Sequence, residues 1–171
     1  RLYEDRETRM SDGSQARPGR SRGATATCPV IEAEIVVNIL IAESSRAVGG
    51  QELAVLLHAE RLCKRGHRVR LVLEPHSPIM AMAKERGLPV EPFIMQQWRL
   101  PWSILAFRRL LKRDHPDIVH VNSSRDSWLA ALATRLVDPR PKVIRTRHIS
   151  APLTNNRATH LLYRRLFDMV I

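Results

Sequence analysis

Three short segments of the sequence carry residue types suited to binding phosphates and hydroxyl groups, and each directly follows an apolar run. In the first, residues 43–52, Gly49 and Gly50 stand immediately before an amphipathic stretch. Glycine lets backbone amides approach a ligand closely, and a helix N-terminus adds partial positive charge, so the pair is typical of a phosphate-binding turn. An ordinary strand-to-helix turn, which needs glycine only for its dihedral angles, is an equally good interpretation of this segment alone.

The second segment, residues 120–126, contains several short hydrogen-bonding side chains next to one arginine. Asn122, Ser123 and Arg125 form a set suited to hydroxyl-rich or phosphorylated ligands. Helix capping by Ser124 or Asp126 is the competing explanation. It accounts for Asp126 as an N-cap, but it leaves Asn122 and Arg125 unexplained.

The third segment, residues 147–153, begins with Arg147 and His148. Of the seven histidines, only His120 and His148 fall near the predicted ligand-side ends of strands. Position makes His148 the candidate catalytic residue, and a structural histidine held by backbone groups is the alternative. No carboxylate pair at glycosidase or metal-site spacing and no Ser/His/Asp order stands out in the three segments, so we expect few acid or base groups here.

Alternating strand and helix patterns must position these segments. Five strands are predicted, at residues 35–42, 67–73, 89–94, 117–122 and 142–147. Five helices are predicted, at residues 51–65, 78–86, 102–113, 126–137 and 156–167. The third strand is expected to be an outer one because of its prolines, and the fourth helix is expected to bury Leu136. This order predicts an α/β fold with a doubly wound, Rossmann-like parallel sheet, whose ligand crevice lies at the carboxyl ends of the first and fourth strands.

The two ends of the chain differ from its middle. Residues 1–33 are rich in Arg, Ser, Gly, Thr and Ala without periodicity, which predicts a disordered N-terminal extension. Residues 34–171 are predicted to form one folded domain. Residues 167–171 resemble the start of a further strand, so we expect the chain to be cut at its C-terminal end.

Composition narrows the classes of function. The net charge of +11 favours an anionic partner such as nucleic acid, acidic lipid or a phosphorylated metabolite, although nucleotide composition can produce the same excess of arginine. Cys28 and Cys63 suggest neither a disulfide framework nor a zinc site, which favours a reduced cytoplasmic protein. No apolar run approaches the length of about 20 residues that crosses a bilayer. The glycine spacing fits neither a dinucleotide fingerprint nor a P-loop.

Residues 38–171 resemble the N-terminal domain of family 4 glycosyltransferases, which are retaining GT-B enzymes that build lipopolysaccharide, glycolipids and capsular glycans. The motifs that carry the resemblance are Asn-Ile-Leu-Ile-Ala at 38–42, Gly-Gly-Gln-Glu at 49–52, Pro-Asp-Ile-Val-His-Val-Asn at 116–122 and Thr-Arg-His at 146–148. The resemblance implies sugar transfer from a nucleotide-sugar by front-face displacement, without a metal ion. In that family a C-terminal domain with a Glu-x7-Glu motif binds most of the donor. The sequence shows no such C-terminal domain, so we expect this fragment alone to be inactive.

The same resemblance implies roles for the residues singled out above. Gly49 and Gly50 would lie against the donor diphosphate, and His148 would contact the transferring sugar and help to orient it. The acceptor side would be shaped by Glu52, Asn122, Ser123, Arg125 and Arg147. No cofactor besides the nucleotide-sugar substrate is expected.

Two alternatives remain open from the sequence. A GT-B nucleotide-sugar 2-epimerase would use the same glycine turn but would need an acidic base, for which the three segments offer no obvious candidate. A non-catalytic basic module would bind nucleic acid or anionic membrane, yet few aromatic residues are interleaved with its bases, which are Arg108, Arg109, Lys112 and Arg113.

Trp98, Arg99 and Trp102 lie in a short loop that suits either contact with a bilayer or packing on the flank of the domain. We expect a cytoplasmic location, with peripheral contact to the inner face of the cytoplasmic membrane as a further expectation, and no nucleic-acid partner.

Overall fold

A computed structural model describes residues 35–95, 100–148 and 156–171. The strands are β1 (Asn38–Glu43), β2 (Arg68–Leu73), β3 (Val90–Pro92), β4 (Ile118–Val121), β5 (Lys142–Arg145) and β6 (Met169–Val170). They form one sheet in the order β3-β2-β1-β4-β5-β6, and every neighbouring pair is parallel. The predicted doubly wound, Rossmann-like sheet is therefore confirmed, with β3 at an edge and the reversal of strand order between β1 and β4.

Helices follow the strands as the sequence pattern predicts. They are α1 (Gly50–Lys64), α2 (Pro78–Glu85), α3 (Leu100–Asp114), α4 (Ser124–Ala133) and α5 (Arg157–Leu161). A 3-10 turn, Thr134–Leu136, extends α4, and a π-helical turn, Leu162–Leu166, extends α5. Gly66 and Gly87 adopt left-handed φ angles of 82° and 68° just after α1 and α2, where glycine avoids the strain of a Cβ.

Apolar side chains on both faces of the sheet hold these elements together. Successive residues of β1 alternate between two buried clusters, with Ile39 in one and Leu40 in the other. The first cluster packs α1 and α2 against the sheet, and the second packs α3 and α4, where Phe107 is fully buried. Burying a side chain of that size contributes roughly 1.5–3 kcal/mol. Burial on both faces is the reason that β1 appears in the sequence as a nearly continuous apolar run.

Three expectations about element ends were wrong. Strand β1 begins at Asn38 rather than at residue 35, because its pairing with β2 starts at Asn38 and both Ile35 and Val36 are exposed. The N-cap of α4 is Ser123 instead of Asp126, which is the third residue of the helix. Leu136 is 48% exposed because α4 ends at Ala133 and the following 3-10 turn changes the helical periodicity.

Some expectations fall on residues that the structure does not describe. The disordered extension predicted for residues 1–33 and the roles suggested for Trp98 and Arg99 lie outside the described residues. The predicted further strand at the C-terminal end is present as β6, which pairs with β5. None of the helices that the structure describes is long and apolar enough to span a bilayer.

Candidate functional site

Hydrogen bonds join the three sequence segments at the carboxyl edge of the sheet. Gln51, in the first turn of α1, donates from Nε2 to Ser123 Oγ over 2.8 Å. His148 Nε2, beyond the end of β5, lies 3.2 Å from Asn122 Oδ1, beyond the end of β4. The segments after β1, β4 and β5 therefore lie side by side, as parallel strands require.

The glycine turn before α1 does not need glycine for its dihedral angles. Gly49 has an extended backbone with φ −150°, and neither Gly49 nor Gly50 has a positive φ. A Cβ built on Gly50 would meet no atom within 4 Å, so this part of the surface is open. The interpretation of the pair as an ordinary turn that requires glycine dihedrals is therefore wrong.

The side chain of Glu52 lies on the buried side of this turn and bonds with its backbone. Its carboxylate is buried and accepts the backbone N–H of Gly49 over 2.8 Å, the capping-box contact that satisfies a free donor at the start of a helix. A Cβ on Gly49 would lie 3.3 Å from the same carboxylate. Glu52 thus shapes the turn through the backbone.

An open cleft of about 410 Å³ lies between the loop that leads into α1 and the start of α4. We call it the serine-arginine cleft, and its lining consists of Ser44, Ser45, Arg46, Ala47, Ser123, Ser124 and Arg125. Ser123 and Arg125 were predicted as site residues, and the structure brings them together with Arg46. The Arg46 guanidinium is mostly exposed and lies 3.5 Å from the buried carboxylate of Glu74. Sequence analysis missed Arg46 because a single loop arginine carries no pattern.

A buried polar network lies beneath the cleft. The Glu43 carboxylate is fully buried at the end of β1, where it accepts Gln51 Nε2 over 2.7 Å and the backbone N–H of Ser45 over 2.9 Å. The Ser123 hydroxyl also donates to it. Buried carboxylates are costly unless their oxygens are bonded, and here both oxygens accept hydrogen bonds.

Asp126 provides a second buried carboxylate. It accepts the backbone N–H groups of Asn122, Ser123 and Ser127 over 3.1, 3.0 and 2.8 Å, and so holds the chain at the start of α4. Burial raises the pKa of the Asp126 carboxyl well above its ordinary value, and the nearby negative charge of Glu43 raises this pKa further. The backbone N–H donors and Arg145 act in the opposite direction.

Arg145, the last residue of β5, supplies a buried positive charge near these carboxylates. Its guanidinium donates to the Ser123 carbonyl over 2.8 Å and to the Ser127 hydroxyl. It also lies 5.5 Å and 5.9 Å from the ring centroids of Tyr163 and Phe167. Arg145 thereby joins β5 to the start of α4, a role that sequence analysis did not predict for it.

Two histidines occupy this edge of the sheet, and they differ in their environment. His120 Nε2 bonds with Thr146 Oγ1 over 2.7 Å. Burial lowers the pKa of His120 to about 4, with smaller contributions from the nearby imidazoles of His58 and His148. His120 is therefore neutral near pH 7. His148 is half-buried and bonds with the buried Asn122 amide.

The remaining predicted residue is Arg147. Its backbone N–H donates to the Ile171 carbonyl over 2.8 Å, which continues the pairing of β5 with β6, and its side chain is half-buried. Among the residues that the structure describes, no group of three or more His, Cys, Asp or Glu side chains could hold a metal ion.

Solved structures resemble this fold. MurG of Acinetobacter baumannii aligns with a TM-score of 0.63 at 16% identity, over 78% of this chain and 40% of that chain. A glycosyltransferase from Rickettsia africae aligns with a TM-score of 0.63 at 18% identity, over 74% of this chain and 33% of that chain. HepE of Anabaena in complex with UDP-glucose aligns with a TM-score of 0.62 at 18% identity, over 78% of this chain and 36% of that chain. At these identities the likeness concerns the fold alone.

The chain spans less than half the length of each of these structures. Its architecture is that of the N-terminal half of a GT-B glycosyltransferase, as the sequence resemblance implies. A comparison with curated protein sequences found no significant match. The family model for Glycosyltransferase Family 4 matches residues 48–171, which is well over half of the chain, and the chain therefore belongs to glycosyltransferase family 4.

Proposed function

We propose that this chain forms the acceptor-side half of a retaining glycosyltransferase, which transfers a sugar from a nucleotide-sugar to a glycan or glycolipid acceptor of the lipopolysaccharide type. Family membership supports sugar transfer, and the similar HepE structure contains UDP-glucose. The observation that carries the proposal is the serine-arginine cleft at the reversal of strand order. Hydroxyl and guanidinium groups at such a crevice suit a sugar and a phosphate.

In this proposal the glycine turn faces the donor. Gly49 and Gly50 lie against the donor diphosphate, where the open surface over Gly50 lets a ligand approach the main chain. Charge on the departing diphosphate is stabilised by backbone amides and basic side chains, and the reaction uses no metal ion. The donor's remaining contacts come from a second domain of the complete enzyme, so this fragment alone is inactive.

The acceptor side is formed by two kinds of residue. Ser123 and Arg125 line the serine-arginine cleft and contact the acceptor directly. Glu52 and Asn122 are buried, and they shape this side through the backbone and side chains that they hold. Arg147, which follows β5, forms the remaining part of the acceptor side.

His148 is the proposed catalytic residue, where a neutral imidazole hydrogen-bonds the transferring sugar as positive charge develops at its anomeric carbon. An interaction that strengthens in the transition state supports kcat rather than substrate binding. In the complete enzyme that carries this chain, His148→Ala should lower kcat by roughly 10² to 10³ fold and shift the melting temperature little.

The control for this experiment is His160→Ala, at an exposed position on α5. It should leave kcat near the wild-type value. A His148→Ala enzyme that is destabilised by about 1–3 kcal/mol but turns over normally would assign His148 a structural role and remove it from the reaction.

The structure gives less support to the two alternative functions, a nucleotide-sugar 2-epimerase and a non-catalytic basic module. An epimerase needs an acidic base, whereas the carboxylates of Glu43, Glu52 and Asp126 all accept hydrogen bonds from protein groups. Two of the bases suggested for nucleic-acid binding are also engaged within the protein. Arg108 donates to the Leu136 carbonyl, and Arg113 pairs with acidic side chains.

We further propose peripheral contact of the complete enzyme with anionic lipid on the inner face of the cytoplasmic membrane. Trp102 is 73% exposed, so it does not pack on the flank of the domain. Leu105 is exposed one turn further along α3, and Arg109 and Lys112 are exposed beyond it. A helix face that combines a tryptophan, an aliphatic side chain and bases suits the surface of an acidic bilayer.

A further inference from the structure

The buried amide of Asn122 bridges two groups at the carboxyl edge of the sheet. Its side chain is almost wholly enclosed, at 3% exposure. Nδ2 lies 3.3 Å from the backbone carbonyl of Ala42 in β1. Oδ1 lies 3.2 Å from His148 Nε2. Asn122 therefore contacts the first strand and the proposed catalytic imidazole at the same time.

The chemistry of these contacts determines the orientation of the amide. The Ala42 carbonyl can only accept a hydrogen bond, so the group that faces it must be the amide NH2. The opposite orientation would set two carbonyl oxygens against each other in a buried place, at the cost of an unsatisfied polar group. The carbonyl oxygen of the Asn122 side chain must therefore face His148.

The same reasoning assigns the proton on the imidazole. The Asn122 oxygen has no hydrogen to donate, so the bond at 3.2 Å requires a hydrogen on His148 Nε2. In the neutral ring the other nitrogen, Nδ1, then holds a lone pair. The backbone N–H of Asn122 is itself held by Asp126 over 3.1 Å, which keeps the amide in place.

We infer that Asn122 is a positioning residue that holds neutral His148 as the Nε2–H tautomer, so that Nδ1 is the ring nitrogen that accepts a hydrogen bond from a substrate hydroxyl. The assignment of the tautomer depends only on the contacts within this chain. The use of Nδ1 rests on the proposed function. Asn122 thus acts on the sugar through His148.

Nitrogen-15 spectra of the imidazole ring test the tautomer in the chain itself, at a pH where His148 is neutral. In the wild-type protein, Nε2 should give the shift of a protonated nitrogen, with an attached hydrogen that is slow enough in exchange to be observed. Asn122→Ala should remove that protection, and the Nε2–H signal should broaden or vanish. A protonated Nδ1 in the wild type, or an Nε2–H signal unchanged in Asn122→Ala, would overturn the inference.

Two further variants separate positioning from simple loss of structure. Asn122→Asp gives up the bond to the Ala42 carbonyl and so should lower stability, but it keeps an acceptor for Nε2–H and should preserve the protected signal in the folded protein. Asn38→Ala removes an asparagine whose side chain also donates to backbone carbonyls, those of Asp114 and His115, but at the opposite end of β1. It should leave the His148 signal as in the wild type. If Asn38→Ala abolished the signal as well, general loosening of the fold would explain the result and the inference would fail.

Kinetics of the complete enzyme test the use of Nδ1. Asn122→Ala should lower kcat roughly tenfold, Asn122→Asp should restore part of that loss, and Asn122→Ala should add nothing when His148 is already alanine. Additive losses in the double variant would contradict a role through His148. If His148→Ala itself left kcat unchanged, the proposed function would fail while the spectroscopic tautomer assignment stood.

Discussion

Gln51 donates to the Glu43 carboxylate over 2.7 Å, which joins the first turn of α1 to the end of β1. The same amide nitrogen lies 2.8 Å from Ser123 Oγ at the start of α4. One buried carboxylate therefore fixes the relative positions of the two loops that line the serine-arginine cleft. This arrangement makes the geometry of the cleft depend on Glu43, which itself does not line it.

Replacement of Glu43 should destabilise the chain. Glu43→Ala leaves the Ser123 hydroxyl and the Ser45 N–H without their acceptor and removes one of the two acceptors of Gln51 Nε2. We expect a loss of about 1–3 kcal/mol in the free energy of unfolding. The measurement is urea denaturation of the chain. Glu60→Ala is the matched control, since Glu60 pairs with Arg86 at the surface of α1 and should cost less than about 1 kcal/mol. Equal losses in the two variants would mean that the network contributes no more than a surface ion pair.

The stability of the chain should fall in mild acid because of His120. Its folded pKa of about 4 lies below the ordinary value of 6.5, so the unfolded chain binds more protons between these values. The stabilisation from a neutral His120 is complete above about pH 6.5 and is lost as the pH falls toward 4. Between pH 7 and pH 5 the loss should be roughly 2 kcal/mol.

The measurement for His120 is the difference in unfolding free energy between the wild type and His120→Gln at each pH. A difference is needed because the raised pKa of Asp126 acts in the opposite direction, favouring the folded state as the pH falls. Glutamine can still bond with Thr146, but it does not titrate. If the wild type and His120→Gln lost stability in parallel, His120 would not be the group responsible.

Arg46 and Arg125 should support substrate binding in the complete enzyme. Both line the serine-arginine cleft, so Arg46→Ala or Arg125→Ala should raise KM for a phosphate-bearing substrate by about tenfold and change kcat less. Arg68→Ala is the control, because Arg68 is exposed at the opposite end of the sheet. Steady-state kinetics with donor and acceptor varied in turn would show which substrate each arginine binds. An unchanged KM for both substrates in both variants would exclude the cleft as a binding site.

The exposed apolar face of α3 should bind acidic vesicles. Replacing Trp102 and Leu105 by serine should reduce sedimentation of the chain with vesicles of phosphatidylglycerol severalfold, while vesicles of phosphatidylcholine should bind neither form strongly. Leu57→Ser, at an exposed leucine of α1, is the control and should bind as the wild type does. Equal binding by the double variant and the wild type would contradict contact through this face.

Local patterns in the sequence were sufficient to predict the architecture. Strands buried on both faces appear as continuous apolar runs, such as residues 38–42, and Gly66 and Gly87 mark helix ends because their left-handed backbone excludes most other residues. The order of these elements then predicted the parallel sheet and the edge at which the three segments meet. Element ends were less predictable. Ser123 and Asp126 are both good caps, and the structure uses the two together at one helix start.

Only the tertiary structure decided which polar residues face inward and which pairs meet. Glu43 and Arg145 appear in the sequence as charges at strand ends, yet both are buried and bonded. The bond between Gln51 and Ser123 joins residues 72 positions apart, and that between Asn122 and His148 joins residues 26 apart. Periodicity in a sequence reports burial along a single element. Contacts between loops depend on strand register and helix packing, which are set by the whole sheet, so no local pattern could have assigned them.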